Sequence, residues 1–172
     1  VFLLGDESSV PVTIRDAKPS RHDRDWIASV YREYLGDLSA GNTGLFPALS
    51  ETGYRDDDIL AVWFRDDRAT PILILHTGTP AGFALVERAL PRAGLDELPH
   101  YRLSEFFVRE PFRRRGVGRA AAQLIFTRFA GRWLVVEQVR NGGAVAFWRR
   151  VIMRYARGRF QERQGGGEVR HS

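Results

Sequence analysis

Leu103-Ser104-Glu105-Phe106-Phe107-Val108, then Arg113-Arg114-Arg115-Gly116-Val117-Gly118-Arg119, then Ala120-Ala121-Ala122-Gln123-Leu124-Ile125-Phe126 is the stretch on which the fold turns. It reads as strand, arginine-glycine loop, helix. Gly116 and Gly118 lack Cβ atoms, so a ligand can approach their backbone closely. The first N–H groups of the following helix have no intrahelical partner and lie at the positive end of its dipole. Phosphate binds to that geometry, and the arginines add forked, charged donors. A glycine pair alone would only shape a turn, and arginines alone would form a solvated face. The flanking strand and helix favour a pyrophosphate cradle.

Downstream, Trp133-Leu134-Val135-Val136-Glu137 is strand-like and is followed by Asn141-Gly142-Gly143-Ala144-Val145-Ala146-Phe147-Trp148. Ala144, Phe147, Trp148, Val151 and Ile152 recur at helical spacing. Met153 to Gln161 reads as a further strand, Gly165-Gly166-Gly167 as flexible, and Glu168 to Ser172 as a last strand or a frayed end.

Upstream, Val12 to Arg15 alternates like a short strand. Arg21 to Leu35 is helical, with Ile27, Val30, Tyr31 and Tyr34 on one face, and Gly36 closes it. Asp37 to Tyr54 is rich in breakers and reads as irregular. Asp56-Asp57-Asp58 opens a short apolar helix, Ile59 to Phe64; so brief a run also suits a strand. Pro71 to His76 and Ala81 to Leu90 form a hairpin about Thr77-Gly78-Thr79-Pro80. Pro91 to Pro99 is a loop, and Tyr101 to Arg109 the next strand. This order gives an α/β chain with a mixed sheet covered by helices. A ligand belongs where neighbouring strands splay beside a helix start.

The chain has 172 residues, a size that suits one domain with a substantial core. Residues 1–9 read as a tail and 10–172 as the domain. There is no cysteine, which excludes disulfides, thiolate catalysis and Cys-based metal sites. His22, His76, His100 and His171 are isolated and lack zinc-type spacing, so no metal is expected. Val1-Phe2-Leu3-Leu4 is too short for a signal-peptide core, and no apolar run reaches membrane-spanning length; the expectation is a cytoplasmic protein without membrane contact. Net charge is +5, and Lys18 is the only lysine. Apart from the 113–119 cluster the arginines are scattered, so nucleic acid is not an expected partner.

The second stretch strengthens a resemblance. Arg113, Gly116 and Gly118 fill the acetyl-CoA signature of the GNAT superfamily of N-acetyltransferases, and Asn141 to Trp148 is similar to its second signature. The resemblance is specific from Leu103 to Ile152. It implies a mostly antiparallel central sheet of about six to seven strands with about four helices, splayed near the middle around acetyl-CoA. By that likeness, the backbone of Phe106, Phe107 and Val108 pairs with the pantetheine arm. The amides of Arg114, Arg115, Gly116, Val117, Gly118 and Arg119, with Arg113 beside them, hold the pyrophosphate. Asn141, Ala144, Phe147 and Trp148 line the far side. Where relatives often carry a Tyr to protonate the departing thiolate, this chain has Trp148, whose N–H is a donor but not a usable acid.

The implied reaction is direct acetyl transfer from acetyl-CoA to a primary amine in a ternary complex. The acceptor is a small molecule or peptide. Relatives are often dimers, so a homodimer is compatible. Glu105 is the candidate base, directly or through water; it would pair equally well with an arginine on a solvent face. A bulge in its strand would change which face it occupies. Tyr155 and Tyr101 are the nearest phenols for the thiolate. Glu51 and Asp56 to Asp58 fall where an acceptor pocket is built, although helix capping also explains the Asp run. Two other readings stand beside this one. The chain could bind acyl-CoA as a sensor or scaffold without turnover. Gly116-Val117-Gly118-Arg119-Ala120-Ala121 also fits a dinucleotide fingerprint, with Glu137 about 20 residues on as a ribose-binding acid. Seven residues separate strand from glycine there, whereas the dinucleotide fold needs a tight turn.

Overall fold

A computed structural model describes residues 11–40, 56–89 and 99–172. The elements run β1 Val12–Asp16, α1 Arg21–Ala40, α2 Asp56–Arg65, β2 Ala69–His76, β3 Thr79–Arg88, β4 Tyr101–Val108, a 3-10 turn Glu110–Phe112, α3 Val117–Arg128, β5 Trp133–Gln138, α4 Gly142–Ala156, β6 Glu162–Gly165 and β7 Glu168–His171. The strands form one seven-stranded sheet in the order β1-β2-β3-β4-β5-β7-β6. Only β4 and β5 are parallel; every other neighbouring pair is antiparallel. That order rules out the parallel, doubly wound sheet of a dinucleotide-binding fold.

Helices cover both faces, as alternating apolar strands require. On one face α1 and α2 bury Ile27, Tyr31, Tyr34 and Trp63 against Leu73, Phe83, Leu85 and Phe107. On the other, α3 and α4 bury Ala122, Ile125, Phe126, Trp148 and Ile152 against Ile72, Ala84, Leu103 and Val135. The first turn of α3 seats Val117 and Ala121 on Ile74 and Ala81.

Several boundaries differ from the sequence reading. Helix α1 runs through Gly36 to Ala40, because a mid-helix glycine costs only about 1 kcal/mol and the apolar stripe continues beyond it to Leu38, which packs on the same core. Residues Met153 to Ala156 are the last turn of α4 rather than a strand; the helix stops at Arg157 and Gly158, both at positive φ. The closing hairpin is β6–β7, turning at Gly166 and Gly167, which also take positive φ. His171 closes β7 and is 1% exposed, beneath the sheet face that α4 covers, so it is an enclosed strand-end residue and not a surface one. Of the acids expected near an acceptor pocket, Asp56 to Asp58 begin α2, and Glu51 lies outside the described residues.

Candidate functional site

Strands β4 and β5 part company after a short contact. Their register holds for Tyr101↔Trp133, Arg102↔Leu134 and Leu103↔Val135, and then ends. Beyond it, Ser104 to Val108 pair only with β3, and Val136 to Gln138 only with β7. A cavity of about 360 Å³ occupies the split. Leu103, Val135, Ala144 and Trp148 line it from the α4 face; Tyr31, Tyr34, Leu38 and Val136 line it from the α1 face. The cavity therefore passes through the sheet.

A bulge in β4 sets which side chains meet there. Opposite β3, Leu85 faces Glu105 and the next residue, Val86, faces Leu103, so Ser104 is the extra residue. Without it, Leu103, Glu105 and Phe107 would share a face. With it, Leu103 packs under α3 and α4, while Glu105 turns to α1 and accepts a hydrogen bond from the Tyr34 hydroxyl. A bulge redirects side chains in this way. Ser104 donates to Glu87. Half-buried among aromatic groups, the Glu105 carboxyl is pushed up to about 8 by desolvation.

The loop after β4 leads into α3. Arg114 takes φ 58° and Gly116 φ 79°, so the chain enters the helix through two left-handed residues. Alternating turns of this kind gather backbone N–H groups into a concave nest. Gly116 is the N-cap, no side chain caps the helix, and its first turn holds no acid. Among the described residues, nothing takes the amides of residues 114 to 119, while Ala120 already donates to the Gly116 carbonyl at 3.0 Å. Phe147 and Phe106 stand over Gly118: a Cβ built there would lie 3.4 Å from Phe147 Cζ and 3.7 Å from Phe106 Cε1. Phe106, Phe147 and Trp148 form a mutual aromatic wall, with centroids 4.9–6.0 Å apart. These features fit a diphosphate and a slender apolar arm.

Arg113 is used within the protein. Its Nε donates to the Val108 carbonyl at 2.6 Å, its Nη2 pairs with Asp37 of α1, and its guanidinium lies 5.6 Å from the Phe107 ring centroid. It ties the loop to β4 and α1, leaving Arg114, Arg115 and Arg119 nearest the free amides. Asn141 caps α4 by accepting from the Ala144 amide at 3.1 Å, and its side-chain NH₂ keeps its donors.

Glu105 and the lining residues Phe106, Asn141, Ala144 and Trp148 thus come together at the cavity. Tyr155 does not join them. Its hydroxyl donates to the Phe126 carbonyl at 3.0 Å, nine residues along α3 from Val117, which is about 13 Å from the helix start. Tyr101 packs on Phe129 and Trp133. Neither phenol lines the cavity. Tyr34 and Arg102 escape sequence reasoning. Tyr34 sits in an apolar helical stripe and reads as core; the signal is its hydroxyl, which needs a partner when buried.

Glu137 also borders the cavity but points beneath α4. His171 Nε2 lies 3.3 Å from its carboxylate and His171 Nδ1 lies 3.6 Å from Glu162. Burial first, then the Glu162 charge, pushes the Glu137 carboxyl up to about 8, and burial pulls His171 down. A ribose-binding role is excluded by this enclosure.

A splayed mixed sheet with an open helix start at the split is the architecture of an acyl-coenzyme A transferase fold. The model of the acetyltransferase (GNAT) family matches residues 27–152, and the chain belongs to that family. Among curated proteins none matches the chain. Solved structures are similar throughout. An acetyltransferase from Thermus thermophilus is 19% identical, with 93% of this chain and 94% of that one covered at a TM-score of 0.62. The PaiA N-acetyltransferase of Thermoplasma acidophilum, in complex with coenzyme A, is 14% identical over 93% and 96%, also at 0.62. The ribosomal-protein-S18-alanine N-acetyltransferase of Escherichia coli is 14% identical over 93% and 91%, at 0.56. Among the described residues no helix is long and apolar enough to cross a membrane.

Proposed function

We propose that the protein is an N-acetyltransferase that moves the acetyl group of acetyl-CoA directly to a primary amine, both bound at once. The observation that carries this reading is the through-sheet cavity, with unpartnered amides at one approach and the Glu105–Tyr34 pair at the other. The coenzyme thioester supplies an acyl carbonyl activated toward amines. The amides of residues 114 to 119 and the arginines beside them bind its diphosphate. Backbone groups of Phe106 to Val108 that β3 leaves unpaired at the split orient its arm, apart from the Val108 carbonyl, which Arg113 Nε already occupies, and Phe147 and Trp148 exclude water from it. A β4 N–H in the split donates to the oxyanion that develops.

Glu105 takes the proton of the attacking amine, directly or through one water, and the Tyr34 hydroxyl holds its carboxylate in place. Tyr155 and Tyr101 lie away from the cavity, so the Trp148 N–H offers the leaving thiolate a hydrogen bond and solvent or the ammonium supplies the proton. With no cysteine in the chain, a thiol-linked acetyl-enzyme is unavailable, which supports direct transfer. The test is release of free CoA thiol from acetyl-CoA across a panel of primary amines. In parallel, Gly118→Glu should weaken CoA binding at least about 100-fold in calorimetry, since a carboxylate would fill an anion site beside Phe147. Wild-type CoA affinity in that variant would remove the basis of the assignment.

A further inference from the structure

The α1 side of the cavity carries a guanidinium that the fold does not use. Arg102 is exposed and lines the cavity, and among the described residues it has no ion pair or side-chain hydrogen bond. The neighbouring charges are matched. Arg109 pairs with Glu33 at 2.8 Å and Arg113 with Asp37. Glu168, which lines the same end, is held by Arg170 at 2.9 Å. Glu87, directly across from Arg102 in register, accepts the Ser104 hydroxyl and acts through its charge on Arg68.

The bulge at Ser104 puts Arg102 and Glu105 on the same face of β4. Their β3 partners are Glu87 and Leu85, two residues apart, so the two positions lie about 7 Å apart along the strand. One small molecule can reach both. The rest of this end is apolar or neutral: Tyr31, Leu35 and Leu38 on α1, Val136 and Gln138 on β5.

We propose that Arg102 selects the acceptor: the amine accepted here carries a carboxylate or phosphate, whose oxygens the Arg102 fork receives while the amino group faces Glu105. Guanidinium geometry matches either oxyanion through two donors. Because Arg102 is exposed, water and salt screen the contact, and its effect is a preference of about tenfold rather than absolute. The inference rests on the acetyltransferase reading.

The test compares kcat/KM for matched amines in the full chain: β-alanine against aminopropanol, and aminoethyl phosphate against ethanolamine. Wild type should prefer the anionic member of at least one pair about tenfold, less at high salt; which pair responds separates a carboxylate site from a phosphate site. Arg102→Gln should lose that preference and Arg102→Glu should reverse it, with the change in KM rather than kcat. CoA binding measured in each variant reports that the fold is intact. Equal use of both members by wild type, or an unchanged preference in Arg102→Gln, overturns the inference while leaving the acetyltransferase standing. Release of thiol with no amine at all overturns both.

Discussion

Glu105 meets two opposed demands. Its position among aromatic side chains favours the neutral acid, while the Tyr34 hydroxyl favours the carboxylate. Burial dominates, and the group titrates near 8. A base of that kind gains its working form as pH rises, so kcat should climb through about pH 8 before levelling. Glu105→Gln should lower kcat by about 100-fold or more, remove that climb, and leave CoA affinity intact. Rate–pH profiles beside CoA titrations check this; an unaltered profile would assign the proton to water or to another group. Sequence reasoning reaches Glu105 as a lone acid in an apolar strand. It does not fix the face, because one extra residue in β4 reverses the alternation and nothing in Leu103-Ser104-Glu105 announces the bulge.

At the scale of elements, the β3–β4 pair fixes the split. Gly82 lies so close to β4 that an added Cβ would sit 2.1 Å from the Phe107 carbonyl oxygen and 3.1 Å from Val108 Cα. Those are backbone atoms, which cannot swing aside. Gly82→Ala should therefore destabilise the protein by about 2–4 kcal/mol, read as a lower urea midpoint, and should loosen the β4 edge. A midpoint equal to wild type would mean that β4 shifts freely. Strand, loop and helix around 103–126 are legible because each has its own local chemistry: an apolar run, glycines, alanines. The end of α4 is not. Met153 and Arg154 favour a helix and Tyr155 a strand, and packing of Val151 and Ile152 on the sheet carries the helix onward. Charge alone makes Arg113 a phosphate ligand, whereas its partners Asp37 and Val108 come from distant and local chain together.

For the whole molecule, pH acts through the enclosed acids. A carboxyl whose folded pKa exceeds its unfolded value binds its proton more tightly when folded. The associated stability is full below about pH 4.5 and is lost as pH rises through about 8. His171, shifted down, works in the opposite sense: its contribution is present above its ordinary pKa of 6.5 and lost as pH falls. Between about pH 6 and pH 9 the carboxyls govern, so the wild-type Tm should fall. Glu137→Gln removes one of the two acids and should make that fall shallower by several degrees, followed by circular dichroism. An equally steep fall in Glu137→Gln would place the sensitivity elsewhere.

The short contact between β4 and β5 has a mechanical meaning. Among the described residues, three residue pairs make up the strand register between β1–β4 and β5–β7. A molecule lying in the gap with amides of its own would act as a missing rung, stitching two half-sheets into one. Occupancy would then be felt as rigidity at both edges, far from the phosphate end, and the coenzyme would serve as scaffolding as well as reagent.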